Sequence, residues 1–249
     1  MNLPRNEDYS KPEYWEKRYI SEEEYEWLGG FQCYKSILQK YLSKHQQSDS
    51  ILQLGCGNSS FSTDLRNEGW ENITNIDISL TGLQKLRRRE RDSNYVLMDM
   101  SIMSFKDKAF DIVVEKCTLD SLLVTAESPW DLDSKQHKLV GRVLKEIKRI
   151  LNPGGTFISI TFSQPHFRVP LLLAEGLGWS VQVEKIEGVG LHSFVFIIQD
   201  GDPAPARTKY LHSSSLVIQH NSDWESSDEE KFLENLNLDS DQEEDSSSS

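Results

Sequence analysis

Cysteine is nearly absent from these 249 residues. The three present, Cys33, Cys56 and Cys117, are far apart and odd in number, which excludes a disulfide framework and supplies no zinc-ligand spacing. The six histidines form no His-Glu-x-x-His motif and no Cys/His cluster, so no metal site is expected. No apolar run is long enough to span a bilayer. The opening MNLPRNEDYSKPEYWEKRY has neither the apolar core of a secretory signal nor the acid-poor composition of a transit peptide. A reducing cytosolic or nuclear setting is the default, and a cytoplasmic protein without a membrane is the expectation.

Positive charge is also short. Lys and Arg number 27 against 40 Asp and Glu, a net charge of −13. Twelve of the acidic but only three of the basic residues lie after residue 200, so the last segment carries −9 and the first 200 residues only −4. That balance excludes a general electrostatic attraction to nucleic acid or to an anionic membrane, and it is compatible with a basic protein partner. The low hydrophobic content of 37% has the same origin. Residues 201–249, with Asp-Pro-Ala-Pro-Ala, serine clusters and acidic runs, read as a disordered acidic tail without regular structure. Within it only Glu229–Leu238 has a helical apolar spacing, through Phe232, Leu233 and Leu236; a helix without a partner and a docking segment fit it equally.

What is present is an alternation. Short β-rich runs at Ile51–Leu54, Ile73–Ile78, Tyr95–Asp99, Phe110–Glu115 and Thr156–Phe162 are separated by helical stretches, which predicts βαβ units and a parallel sheet. Helices are expected over Ser60–Glu68, Leu80–Arg91, Lys138–Leu151 and Leu171–Leu177, with a tight turn at Asn152-Pro153-Gly154-Gly155. Two final strands, Trp179–Glu187 and Ser193–Gln199, are joined by a link of hairpin length, so the last pair is expected to be antiparallel.

The chemistry-bearing residues sit where strands end. The first strand runs into Leu54-Gly55-Cys56-Gly57, a turn where glycine lets backbone approach a ligand. A third glycine is missing, since Ser60 stands in its place, which counts against a dinucleotide pyrophosphate and a dehydrogenase. Asp77 closes the second strand, where a carboxylate can accept both hydroxyls of a ribose. Asp99 ends the third, where a carboxylate and the next backbone N–H, that of Met100, can read the amino group and ring nitrogen of adenine; capping the following turn is its bland alternative. In the order and spacing of these pieces lies the signature of a class I, Rossmann-like S-adenosylmethionine-dependent methyltransferase, a seven-stranded sheet with its last strand antiparallel. The Asn/Asp-Pro-Pro-aromatic loop of enzymes that methylate base amino groups is absent after the fourth strand, which argues against nucleic-acid substrates.

The segment VVEKCTLDSLL, residues 113–123, is harder to place. It ends an apolar strand in Glu115-Lys116, and a buried ammonium needs a partner or a task. This segment belongs to a wider resemblance. Tyr14-Trp15, Arg18-Tyr19, Tyr25-Glu26-Trp27, Leu54–Ser59, Asn75–Ser79, Met98-Asp99, Phe110–Lys116, Thr118-Leu119-Asp120, Pro165–Arg168 and Gly178-Trp179-Ser180 resemble the methyltransferase-like family that modifies lysines of translation elongation factor 1-alpha. The likeness covers roughly residues 10–200. It implies a lid region over 1–30, a methyltransferase domain over 31–200 and the tail over 201–249. It further implies S-adenosyl-L-methionine as cofactor, held by positions matching Trp15, Tyr19, Trp27, Gly55, Asp77, Ile78, Asp99, Met100 and Lys116. A monomer acting on elongation factor 1-alpha is the implied working form; a small-molecule methyltransferase and a non-catalytic cofactor-binding scaffold are the alternatives.

Physical chemistry supports part of this independently. Trp15 and Tyr19 are four apart and share a helix face, and aromatic faces suit a sulfonium cation. Lys116 is expected to hold the cofactor through backbone or stem, its ammonium reaching solvent or a carboxylate other than the adjacent Glu115. Asp120 is the candidate for orienting the incoming amine, with capping of the following helix as its competing role. Cys117 departs from the family, which usually has glycine there, so the shape of the turn beside Lys116 is open.

Overall fold

The computed structural model describes residues 4–126, 132–186 and 192–217. Its strands are β1 (Ile51–Leu54), β2 (Ile73–Asp77), β3 (Asn94–Leu97), β4 (Phe110–Lys116), β5 (Leu151–Thr161), β6 (Trp179–Ile186) and β7 (Ser193–Asp200). They form one seven-stranded sheet in the order β3-β2-β1-β4-β5-β7-β6. Strand β7 runs antiparallel to both neighbours, while β1 to β5 pair in parallel. The expected Rossmann-like class I methyltransferase architecture is therefore the observed one. The order reverses between β1 and β4, and ligands of doubly wound sheets bind outside the carboxyl ends of the strands at such a point.

The helices are α1 (Pro12–Ser21), α2 (Lys35–Leu42), α3 (Phe61–Asn67), α4 (Leu80–Arg89), α5 (Thr118–Leu123), α6 (Ser134–Ile150), α7 (Pro165–Leu172) and α8 (Ala204–Val217). Alternation along the central strands feeds two cores. Leu52, Leu54, Val113 and Phe157 pack with Val140, Val143, Leu144 and Ile147 of α6 on one face. Ile51, Ile112, Val114 and Ile158 pack with Leu38 and Leu42 of α2 and Phe61 and Leu65 of α3 on the other. Strands buried on both faces read as continuous apolar runs, as β1 and β4 do.

Three sequence expectations are corrected. The helix expected over Leu171–Leu177 is instead Pro165–Leu172. Pro165 occupies its first turn, where a missing N–H costs nothing, and Pro170 is tolerated inside it; starting the helix after Pro170 avoided a proline that the tertiary packing accepts. The turn at 152–155 lies inside β5, whose pairing jumps from Phe110↔Leu151 to Ile112↔Thr156, so the extra residues bulge from the edge of the ladder. The tail is not irregular from its start. Ala204–Val217 is helical, Ala206 is buried, and Arg207 donates to the Leu173 carbonyl at 3.1 Å. Residues 218–249, including Glu229–Leu238, and the link 187–191 lie outside the described residues. No helix among the described residues is long and apolar enough to cross a membrane.

Candidate active site

The site is assembled from the turns that follow β1, β2, β3 and β4, with the amino-terminal segment laid across them. In the β1–α3 turn, Gly55 (φ +58°) and Gly57 (φ +54°) both take left-handed backbone. A Cβ on Gly55 would lie 2.2 Å from Thr118 Cγ2, and one on Gly57 would lie 2.6 Å from the Tyr19 hydroxyl. These glycines make room for two neighbouring side chains, and Gly55 also lines the cavity described below. Beyond the turn, Asp77 accepts from the Gly57 N–H through Oδ2 and from the Ser79 N–H through Oδ1, each at 2.8 Å. Burial pushes its carboxyl up, and the backbone N–H groups of Ser79, Gly57 and Ile78 pull it back. These three N–H groups leave the carboxylate room for one further donor.

The amino-terminal segment is tied down by charged side chains. Glu16 of α1 accepts from the Ser79 hydroxyl at 2.6 Å and the Thr81 N–H at 3.1 Å, capping the start of α4. Lys85 of α4 returns the favour at the other end. Its ammonium donates to the Ile20 and Glu22 carbonyls, at 3.2 and 3.0 Å, and to Glu23 at 2.6 Å, which satisfies the open carbonyls at the end of α1. Glu26 accepts from the Ser59 hydroxyl at 2.7 Å and the Ser60 N–H at 2.6 Å. The Lys116 ammonium donates to Glu26 Oε2 and the Trp27 carbonyl at 2.7 Å each, and to the Gly29 carbonyl at 3.3 Å.

Six aromatic rings line up above the turn. Trp15 packs on Tyr9, Tyr19 and Trp27 with centroids 5.8 Å apart in each case, and the Trp15 indole N–H donates to the Tyr9 carbonyl at 2.8 Å. Tyr14 and Tyr25 extend the group, and the Arg18 guanidinium lies over the Tyr25 and Trp27 rings. Tyr19 is buried, which raises its phenol well above the usual value. Trp15 and Tyr19 thus share a face of α1, as their spacing predicts.

The β4–α5 turn supplies the floor. Glu115 is fully buried and accepts from the Thr118 and Leu119 N–H groups at 2.9 and 3.1 Å, and from the Ser159 hydroxyl. Glu115 therefore caps α5, the role considered for Asp120. Asp120 points elsewhere: its Oδ1 accepts from the Thr161 hydroxyl at 2.7 Å and from Arg168 Nη2. Cys117, between them, has φ +60°. Left-handed backbone at this position favours glycine, and the turn takes that conformation with cysteine in place. Asp99 is exposed and caps its own turn through the Ser101 N–H at 2.7 Å; Met100 beside it is buried.

These parts enclose a cavity of about 290 Å³. All ten expected residues line it: Trp15, Tyr19, Trp27, Gly55, Asp77, Ile78, Asp99, Met100, Lys116 and Asp120. Tyr9, Thr118, Leu139 and Phe162, which the sequence reading did not single out, join them. Glu16, Lys85, Glu115 and Arg168, whose hydrogen bonds tie these elements together, carry no local signal of that part either. Glu26 and Arg168 lay inside quoted motifs, yet nothing local marks a glutamate or an arginine as an anchor. Among the described residues, no group of three or more His, Cys, Asp or Glu side chains is arranged to hold a metal.

Comparison with known proteins agrees with this architecture. Residues 52–159 match the model of a methyltransferase domain family. The chain is 34% identical over 203 residues to the EEF1A lysine methyltransferase 4 of Bos taurus, covering 79% of this chain and 78% of that protein. The Mus musculus protein of the same name matches equally. The chain belongs to the EEF1A lysine methyltransferase family. An eEF1A lysine and N-terminal methyltransferase of Xenopus laevis is 32% identical over 195 residues, covering 74% of this chain but 26% of that longer protein. Among solved structures, the N-methyltransferase NodS of Bradyrhizobium japonicum, in complex with S-adenosyl-L-homocysteine, superposes with a TM-score of 0.52 at 15% identity, over 69% of this chain and 87% of that one. The [4+2]-cyclase SpnF superposes with a TM-score of 0.53 at 12% identity, over 81% and 98%. Likeness at that identity shows the fold alone.

Membership of the EEF1A lysine methyltransferase family makes the chain an enzyme that uses S-adenosyl-L-methionine to methylate protein lysines. The residues present fit that cofactor: Asp77 is a buried, fixed carboxylate with room for a further donor, the aromatic wall suits a cation, and Asp120 places a second carboxylate in the same cavity.

Proposed function

We propose that this chain methylates a lysine of translation elongation factor 1A, working as a monomer in the cytoplasm without nucleic acid or membrane. The observation that carries this reading is the cavity itself. One cavity gathers a ribose-type acceptor, Asp77, an aromatic wall, the carboxylate of Asp120 and the apolar side chains of Leu122, Val124, Leu139 and Phe162. A carboxylate together with apolar lining suits a slender amine-bearing chain, which is what a lysine is. The net charge of −13 suits a basic protein substrate and disfavours nucleic acid.

S-adenosyl-L-methionine, when bound, supplies a methyl group already activated on a sulfonium. The protein's work is alignment and exclusion of water. Asp77 would take the ribose hydroxyls, Asp99 and the Met100 N–H the adenine edge, and Trp15, Tyr19 and Trp27 the cationic end. Lys116 holds the Glu26–Gly29 strap over that end. Asp120 would accept an N–H of the substrate lysine and turn its lone pair inward. The lysine must first shed a proton to solvent, which at pH 7 costs about 4.6 kcal/mol for a pKa of about 10.4; the apolar walls lower that cost by disfavouring the ammonium.

The deciding experiment is incubation of the full chain with radiolabelled S-adenosyl-L-methionine and cytosolic extract, then with purified elongation factor 1A. One labelled protein of that factor's mass, with the label mapped to a lysine, supports the proposal. Label confined to other proteins or to small molecules refutes it.

A further inference from the structure

Arg168 is an odd residue for its position. It lies in the first half of α7, near the amino end of the helix dipole, where a cation is disfavoured. It is nevertheless 1% exposed. Nothing in the helix itself accounts for a buried guanidinium there, so a tertiary reason must.

The hydrogen bonds show what that reason is. Arginine usually grips a carboxylate with two parallel bonds, one to each oxygen. Arg168 does not. Its Nη2 donates to Asp120 Oδ1 and, at 3.2 Å, to the Thr161 hydroxyl. Thr161 in turn donates to that same Oδ1 at 2.7 Å. Both donors converge on one oxygen, and Asp120 Oδ2 is left buried without a partner among the described residues, as are Arg168 Nε and Nη1. A buried acceptor left open costs stability, and here it belongs to a residue that lines the cavity.

We propose that Arg168 is a positioning residue of the methyl-transfer site: it holds Asp120 by Oδ1, keeps Oδ2 open for the substrate amine, and offsets the carboxylate's charge. The last part matters for the chemistry. A lone aspartate would bind the lysine as an ammonium and hold its proton, leaving no lone pair to react. A compensated one is a hydrogen-bond acceptor with little net field, which can orient the neutral amine. The other titratable groups around Asp120 are Glu115 on β4 and Cys117 in the β4–α5 turn. Burial raises Glu115 to about 7, so near neutral pH it adds only part of a negative charge. Burial raises Asp120 too, and Arg168 is the main influence in the other direction.

This inference rests on the lysine-methylating role proposed above. Its test is the pH–rate profile of methyl transfer to purified elongation factor 1A by the full chain. In Arg168→Gln both consequences point the same way: Asp120 protonates more readily, and where it stays ionised it holds the ammonium more tightly. The acidic limb should therefore move up by about one pH unit or more, with kcat lower by roughly tenfold to a hundredfold and cofactor affinity by calorimetry within about twofold. Arg168→Lys, which restores the charge, should return the limb towards its wild-type position. Should Arg168→Gln not fold, Thr161→Val removes the second donor and must move the limb in the same direction by less. An unmoved limb in either folded variant, or a parallel fall in cofactor affinity and kcat, overturns the proposal. Failure of the wild-type chain to label the factor overturns the substrate instead, so the two failures are distinguishable.

Discussion

The ammonium of Lys116, at the carboxyl end of β4, lies 2.7 Å from the carboxylate of Glu26 in the amino-terminal strap. Lys116, which lines the cavity, therefore turns its charge to the amino-terminal strap. Glu26 passes the restraint on to the start of α3 through Ser59 and Ser60. A lysine side chain with 5% exposure is stable there because it has a carboxylate and two carbonyls.

Removing the ammonium should loosen the strap. Lys116→Met keeps the aliphatic stem and should weaken cofactor binding as much as Lys116→Ala does, by about tenfold to a hundredfold. Glu26→Gln should do the same, and the double variant should be no worse than either single one. Calorimetric titration with S-adenosyl-L-homocysteine checks this; a Lys116→Met chain that binds like wild type would show that the stem is what counts.

Gly57 and Tyr19 should behave as a pair. A methyl on Gly57 meets the Tyr19 hydroxyl at 2.6 Å, but the next ring atom only at 3.3 Å. Gly57→Ala should therefore displace α1 and weaken cofactor affinity, and adding Tyr19→Phe should recover part of the loss. Recovery stays incomplete because φ +54° still costs an alanine about 1 kcal/mol. No gain from the second change would mean that backbone strain is the whole effect.

Cys117 tests the turn beside Lys116. At φ +60° a glycine is at ease, a cysteine is strained, and a β-branched residue more so. Cys117→Gly should keep stability within about 1 kcal/mol of wild type, since relief of strain offsets the lost thiol packing, while Cys117→Val should cost about 2–3 kcal/mol. Urea midpoints of the three chains settle the order.

Glu115 sets a pH dependence. Its ordinary value of 4.5 is raised to about 7 by burial. Between those values the folded chain holds a proton that the unfolded chain has released, so this group makes stability fall as pH rises from about 4.5 to 7. Glu115→Gln can keep accepting from the α5 N–H groups and should flatten that slope, gaining about 1–3 kcal/mol relative to wild type at pH 8. Denaturant melts at pH 5 and pH 8 provide the measurement, and equal slopes in the two chains would refute it.

Most of the strands were legible because burial on both faces leaves apolar runs, and because Gly, Asp and Asn-Pro-Gly punctuate them. Two of the departures, α7 and α8, involve prolines near helix starts, where local rules discourage a helix and packing permits one. Ten of the cavity-lining residues were readable from spacing and family likeness, down to Asp99 and Ile78. Their anchors were not. Glu26, Glu16, Lys85 and Arg168 are ordinary charged residues in sequence, and their partners stand 33 to 90 positions away.

The sequence by itself determined the alternating strands and helices and ten of the residues around the cavity, because period, glycine, strand-end carboxylates and family likeness are legible without any tertiary contact. Only the tertiary structure decided what each does. It gave the helix cap to Glu115 and not Asp120, assigned the glycines to Thr118 and Tyr19, and paired Lys116 with Glu26. Such choices depend on which donors and acceptors remain unsatisfied once distant segments meet in a dry interior, and that accounting exists only when the chain is folded.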